Sequence, residues 1–168
     1  LEGLINDFGI GNMAAALAED PATPDERREQ LREESEYFLE RATHYVNLFD
    51  PATGFFQGRN ADGTFEKSPE TFNPEDWGGP YTETSGWNFA FHAPQDGQGL
   101  ANLYGGQDGL EAKLDLFFST PEKAPNGGIH ERLEARDVRM GQWGMSNQVS
   151  HHIPYLYAWT SQPWKTQY

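Results

Sequence analysis

The 168 residues contain no cysteine. That excludes disulfides and thiolate metal sites, leaving oxygen and imidazole as side-chain metal ligands and favouring calcium or another hard cation over structural zinc. Basic residues are scarce as well. Twelve Lys plus Arg stand against 26 Asp plus Glu, a formal charge of −14. A nucleic acid requires a basic footprint, so no nucleic-acid partner is expected. An anionic membrane surface is disfavoured on the same ground, and there is neither a signal peptide nor an apolar run long enough to span a bilayer, so no membrane partner is expected. Metal-ligand spacing of the His-x-x-x-His kind, a Ser-His-Asp order, a phosphate-cradling glycine loop and a dinucleotide fingerprint are all missing. The chain starts at Leu1 rather than Met and stops at Tyr168 just after a well-patterned segment. It is expected to be a piece of something longer.

What is present reads as mostly helical. Residues 1–20 have helical apolar spacing and end near Asp20-Pro21. Thr23-Pro24-Asp25-Glu26 predicts a helix start, with Thr23 as N-cap and Pro24 at the first helical position. Leu31, Phe38 and Tyr45 then repeat at seven on one stripe, and the helix runs to Asp50-Pro51. Gly and Pro punctuate residues 51–82 densely, and Phe55 to Phe65 across Asn60-Ala61-Asp62-Gly63 predicts a short hairpin or irregular excursion. Helices are expected over 83–93, over Asp96 to Tyr104 (closed by Gly105-Gly106), and over Gln107 to Phe118, with Leu110, Leu114 and Phe117 on one stripe. Residues 119–143, with Pro121, Pro125 and Gly127-Gly128, read as irregular. Ser150 and Ser161 read as N-caps of two last helices, with Pro154 and Pro163 in their first turns. The helices should be antiparallel, with the loops gathered at one end.

The stretch from Met140 to Tyr157 joins amides, hydroxyls, His151, His152 and aromatics with almost no charge. That is the composition of a polar loop feeding a helix, a common way to build a ligand site. Neighbouring helical residues point about 100° apart, so one zinc held by both histidines is awkward; the plain reading is one core histidine and one lining a loop. Asn147 and Gln148 offer amide oxygens that suit calcium without defining a site. Glu83, between a Gly/Pro-rich loop and a predicted helix and beside Tyr81 and Trp87, has the setting of a proton donor if buried, and of an ordinary first-turn acid if not. Asp76 and Asp96 are weaker candidates for sugar-hydroxyl contact, both more often caps. Arg59, Lys113 and Lys165 form no cluster in sequence. Five tryptophans supply faces that suit either a core or sugar rings.

Several stretches together resemble glycoside hydrolase family 92, the calcium-dependent exo-acting α-mannosidases. They are Gly54-Phe55-Phe56 with Asp62-Gly63-Thr64-Phe65, then Tyr81-Thr82-Glu83 with Trp87-Asn88-Phe89, then Pro94-Gln95-Asp96 with Gly99-Leu100. Tyr104-Gly105-Gly106, Lys113-Leu114-Asp115 with Phe117-Phe118, and the stretch from Gly141 through Ser150-His151-His152 to Pro163-Trp164-Lys165-Thr166-Gln167 follow in order.

The resemblance implies a mostly α fold, part of an (α/α)6 barrel with long loops and a short hairpin. Residues 1–168 would be the central part of that barrel, with an N-terminal β-sandwich domain and the C-terminal end of the barrel outside this chain. It implies an inverting α-mannosidase acting on terminal α-mannosides of N-glycans or mannan, incomplete and inactive as this piece alone. Glu83 matches the general acid, and the general base lies downstream of Tyr168. Trp87, Asn88, Asp96, Met145, Ser146 and His151 are the implied substrate contacts, and Asn147 and Gln148 the implied Ca2+ ligands. The implied partners are a mannose-containing glycan and the remainder of the parent polypeptide, in a secreted or periplasmic setting. Two departures stand out. Met145-Ser146 replaces the family's His-Gly or His-Glu, which bears on linkage preference. Gln148 replaces a common Glu, which removes a negative charge from the calcium region. Two alternatives remain open: an enzyme uncapping a mannose-1-phosphate-type diester, and a non-catalytic carbohydrate-binding helical module using Trp77, Trp87 and Trp143 as platforms.

Overall fold

The computed structural model describes residues 1–124 and 129–168. The chain divides into two compact units, Leu1–Leu48 and Phe49–Tyr168. The first is a helical hairpin of α1 (Glu2–Glu19) and α2 (Asp25–Ala42). Its turn is held by Arg28, whose guanidinium donates to the carbonyls of Ala18 (2.5 Å), Asp20 (2.8 Å) and Thr23 (2.9 Å). The Ala18 carbonyl is one that the last turn of α1 leaves without a helical partner. The backbones approach closely at Gly11, where a Cβ would fall 2.7 Å from Leu39 Cγ. Ala14, Ala18 and Leu31 form the small core between the helices, and buried Asp7 is paired with Arg41 at 3.1 Å. The start of α2 lies one residue later than the sequence predicts. Pro24 occupies the cap position with extended ψ 139° and no side-chain cap bond, so Thr23 is not the N-cap. After Ala42 the helix tightens into a 3-10 segment, Thr43–Leu48.

The second unit opens with β1 (Phe49–Asp50) and β2 (Phe55–Phe56), paired antiparallel with Phe49 opposite Phe56. The turn between them closes on the Asp50 carboxylate, which accepts from Ala52 N, Thr53 Oγ1 and Gln57 Nε2. The Asn60–Gly63 turn foreseen in the sequence also forms, but carries only a single bridge between Arg59 and Phe65. The helix expected over 83–93 is a correction: only α3 (Gly86–Phe89) is helical there, because Thr84 and Ser85 belong to a closed loop. α4 (Gly97–Leu103) and α5 (Gln107–Ser119) match their expected spans, and Leu110, Leu114 and Phe117 are fully buried on α5.

The irregular reading of 119–143 also needs correcting. α6 spans His130–Val138 and ends on Arg139 in the left-handed conformation. Pro125 and Gly127-Gly128, part of that reading, lie outside the described residues. Three 3-10 segments finish the chain: Gln148–Ser150, Ile153–Trp159 and Pro163–Gln167. Neither Ser150 nor Ser161 is an N-cap. Ser150 is fully buried and bonds to Asn88, while Ser161 donates to Glu111 at 3.1 Å. Glu111 on α5 also accepts Lys165 Nζ at 2.9 Å, and Asp115 accepts Lys165 (2.7 Å) and the Tyr157 hydroxyl (2.8 Å). Two carboxylates one helical turn apart thus dock the Trp164-Lys165-Thr166-Gln167 segment onto α5.

Candidate functional site

The site is built from the loop Trp77–Ser85 and the segment Gln142–His151. The loop closes on itself. Trp77 bridges Ser85, Gly78 N donates to Thr84 O at 2.8 Å, and Tyr81 N donates to Gly78 O at 3.2 Å. Gly78 and Gly79 take left-handed φ of 80° and 63°. Glu83 takes φ 55°, a conformation that costs a non-glycine residue on the order of 1 kcal/mol or more and that clusters at functional sites. Its side chain is exposed. Burial is therefore not what equips Glu83 here, and it is not in a first helical turn either.

Asn88, 1% exposed, locks the second segment to the loop. Its Nδ2 donates to Gln142 O at 3.1 Å, and its Oδ1 accepts from Gly144 N (3.3 Å) and Ser150 Oγ (2.8 Å). Trp143 Nε1 donates to Ser150 O at 2.9 Å. Buried Asn147 reaches across and donates its amide to the Glu83 carbonyl. The peptide at the strained residue is thereby tied to the amide-rich segment.

These bonds sort the residues singled out from the sequence. Glu83 and Asn147 are brought together directly. Met145, 53% exposed, lies with exposed Ser146 and Gln148 beside Asn147 in the chain. Exposed His151 bonds through Nε2 to Met145 O at 2.9 Å, which holds the turn that presents Met145 and Ser146. Trp87 and Asn88 are interior and support the site from beneath: Trp87 packs edge-on against Phe55 at 5.0 Å, and the Asn88 amide, which also reaches Ser85 Oγ at 3.5 Å, is spent on protein partners. Asp96 caps α4, accepting from Gly99 N at 2.8 Å.

Two further titratable groups, half-buried Lys113 and buried His92, stand apart from the residues singled out for the site. The Lys113 ammonium sits 3.4 Å from the Phe55 ring centroid and within 5.2 and 5.6 Å of those of Trp87 and Tyr104. Burial pushes its pKa down to about 8. The aromatic faces offset part of that desolvation. His92 is buried and stacked on Phe89 at 4.6 Å, and burial together with nearby His152 pushes it down to about 4. His152 is also lowered by burial and bonds to Phe91 O at 2.7 Å, so it is the core histidine of the pair. In sequence, only the apolar neighbours of Lys113 on α5 hinted at its position.

The calcium expectation meets a donor set that does not complete a site. Among the described residues no group of three or more His, Asp or Glu gathers closely enough to hold a metal ion. Asn147 and Gln148 are neutral, whereas calcium takes six to eight oxygens, usually with carboxylates among them.

The glycosyl hydrolase family 92 catalytic domain model matches residues 1–168. Comparison with curated proteins finds no match. Among solved structures, the family GH92 inverting mannosidase BT2199 from Bacteroides thetaiotaomicron VPI-5482 is 31% identical with a TM-score of 0.72, over 98% of this chain and 21% of that one. The family GH92 α-mannosidase BT3965 from Bacteroides thetaiotaomicron is 27% identical, TM-score 0.70, over 98% of this chain and 18% of that one. A structure of the same enzyme in complex with mannoimidazole is similar at 26% identity and TM-score 0.71, over 98% and 20%. The chain thus spans about a fifth of the length of these enzymes.

Proposed function

The chain belongs to glycosyl hydrolase family 92 and its helical fold is part of that family's α/α barrel; from that premise we propose that it supplies the acid half of an inverting α-mannosidase. The observation that carries the reading is the placement of Glu83. It is exposed on a closed, strained loop whose peptide is gripped by Asn147, so its carboxyl projects from a fixed base. In an inverting glycosidase one carboxylic acid protonates the departing glycosidic oxygen while a second carboxylate activates water on the other face of the ring. Glu83 is the donor in this reading. The base comes from a part of the parent polypeptide outside residues 1–168, as do the N-terminal β-sandwich and the end of the barrel. The natural substrate is a terminal α-mannoside of an N-glycan or mannan, handled by an exported protein. Met145 and Ser146 face the leaving sugar, and Trp87 and Asn88 act by holding the loop rather than by touching sugar. Retention of a carboxylic acid at 83 favours a sugar alkoxide over a phosphate as leaving group, since a phosphate departs without protonation. Calcium is the parent's cofactor, with amide oxygens from Asn147 and Gln148 and carboxylates from elsewhere in the polypeptide.

The test uses the full-length parent. Glu83→Gln should cost about 10²–10⁴-fold in kcat/KM on mannosides with poor leaving groups and far less on activated aryl mannosides. Equal losses on both substrate types would remove Glu83 from the role of acid. Chelation with EDTA should abolish turnover and added Ca2+ restore it; turnover that persists in EDTA would overturn the calcium proposal.

A further inference from the structure

Beside the Trp77–Ser85 loop lies a cavity of about 410 Å³ that the catalytic reading leaves unused. It falls within the range of roughly 300–1,000 Å³ found for small-molecule sites. Trp77 and Phe72 contribute aromatic surface, and Glu66, Lys67 and Asp76 contribute charge. The polar groups are held in place. Asp76 accepts Lys67 Nζ at 2.7 Å and Asn73 Nδ2 at 2.9 Å. Buried Gln57 fixes the Lys67 backbone from both sides, accepting from its N–H (3.3 Å) and donating to its carbonyl (3.3 Å). Gly58 makes room for Glu66: a Cβ there would fall 2.5 Å from Glu66 Oε1. Gly78 and Gly79 line the same cavity with no side chain, and a Cβ on either would meet nothing within 4 Å.

This lining selects a ligand class. An indole face takes the C–H face of a pyranose. Carboxylates accept from hydroxyls, and an ammonium donates to them. A phosphorylated or carboxylated ligand would face Glu66 and Asp76 in a chain of formal charge −14. A neutral polyol satisfies both signs of partner. The cavity is also tied to the proposed acid. Tyr81 lines it, lies two residues before Glu83, and is anchored by its hydroxyl to Phe56 O at 2.7 Å; the Gly78–Thr84 hydrogen bond joins both sides of the loop.

We propose that this cavity is a second saccharide site, binding a neutral sugar residue of the glycan beyond the bond cleaved at Glu83. It rests on the mannosidase reading for the identity of that glycan and on its own lining for everything else. Trp77 is the platform, and Asp76, Glu66 and Lys67 hold the hydroxyls. The protein then selects extended glycans over single mannosides through residues on the same loop as its acid.

Calorimetric titration of the full-length protein carrying Glu83→Gln, so that the saccharides are not hydrolysed during the measurement, with a mannotetraose and with methyl α-mannoside tests this. Trp77→Ala should weaken the tetrasaccharide about tenfold relative to the monosaccharide, and Trp77→Phe should recover most of that ratio. Gly79→Asn, which asparagine's tolerance of left-handed φ allows, should place a side chain in the opening and shift the ratio in the same direction. Melting temperatures accompany each variant, so that unfolding by Trp77→Ala leaves Gly79→Asn to decide. An unchanged ratio in the folded variants overturns the site. Wild-type turnover of an aryl mannoside reports separately on the catalytic reading: a protein that turns over nothing yet shows the shifted ratio keeps the cavity and loses the catalysis.

Discussion

Replacing Asn88 with alanine tests the architecture that aligns the two halves of the site. The side chain is 1% exposed and makes bonds of 3.1 Å to Gln142 O, 3.3 Å from Gly144 N and 2.8 Å from Ser150 Oγ. Each bond is worth about 0.5–1.5 kcal/mol net, and a partner left buried without a bond adds about 1–3 kcal/mol. Ser150 is fully buried and Gln142 is 3% exposed, so water does not readily replace the lost amide. Counting the longest bond lightly, Asn88→Ala should cost about 3 kcal/mol. With a urea m-value of about 2 kcal/mol per molar, the midpoint of the transition that includes this unit falls by about 1.5 M. Denaturation followed by both tryptophan fluorescence and circular dichroism measures it, coincident curves supporting the two-state treatment. Ser150→Ala completes a double-mutant cycle. Because the 2.8 Å bond is common to both changes, the double variant should lose about 1 kcal/mol less than the sum of the singles. Strict additivity, or a loss below about 0.5 kcal/mol for Asn88→Ala, refutes the claim that this amide ties the segments together.

Two pH responses follow from half-buried Lys113 and buried His92. Lys113 has a folded pKa of about 8 against an ordinary 10.5, so the unfolded chain binds more protons between those values and stability rises with pH there. Thermal melts from pH 8 to 9.5, below the ordinary tyrosine value of 10.0, should show that rise, and Lys113→Met should flatten it; an unaltered slope in the variant contradicts the burial argument. His92, at about 4 against 6.5, works at the acid end: stability is lost as pH falls from 6.5 toward 4, because the unfolded chain takes up a proton that the buried ring refuses. His92→Phe should remove part of that loss, with lowered His152 responsible for some of the remainder; identical acid melts in both proteins would count against it.

What the sequence revealed depended on whether a residue acts through local pattern or through a distant partner. The α5 stripe of Leu110, Leu114 and Phe117 was legible because its burial follows from helical periodicity alone. Asp96 was legible as a cap for the same local reason. Ser150 and Ser161 carried the same kind of signal, a hydroxyl before a Pro-containing turn, and there it misled. Their partners, Asn88 and Glu111, lie 62 and 50 residues away in the chain. Glu83 shows the limit most clearly. Its motif marked it as the acid, while local propensity put it in a helix; the loop prevails because Gly78 N, Asn147 and the Trp77–Ser85 bridge each fix the backbone around it. Gly141 is similar. Its φ of 65° and a Cβ position 2.2 Å from Phe117 O demand glycine, yet the demand arises from the end of α5, more than twenty residues upstream. The residues nearest the proposed chemistry are therefore those whose conformation the surrounding chain over-determines. That is the condition under which a strained peptide such as Glu83 persists. It also makes Asn147, rather than Trp87 or Asp96, the residue through which the Met145–Gln148 segment and the proposed acid, Glu83, are held in register.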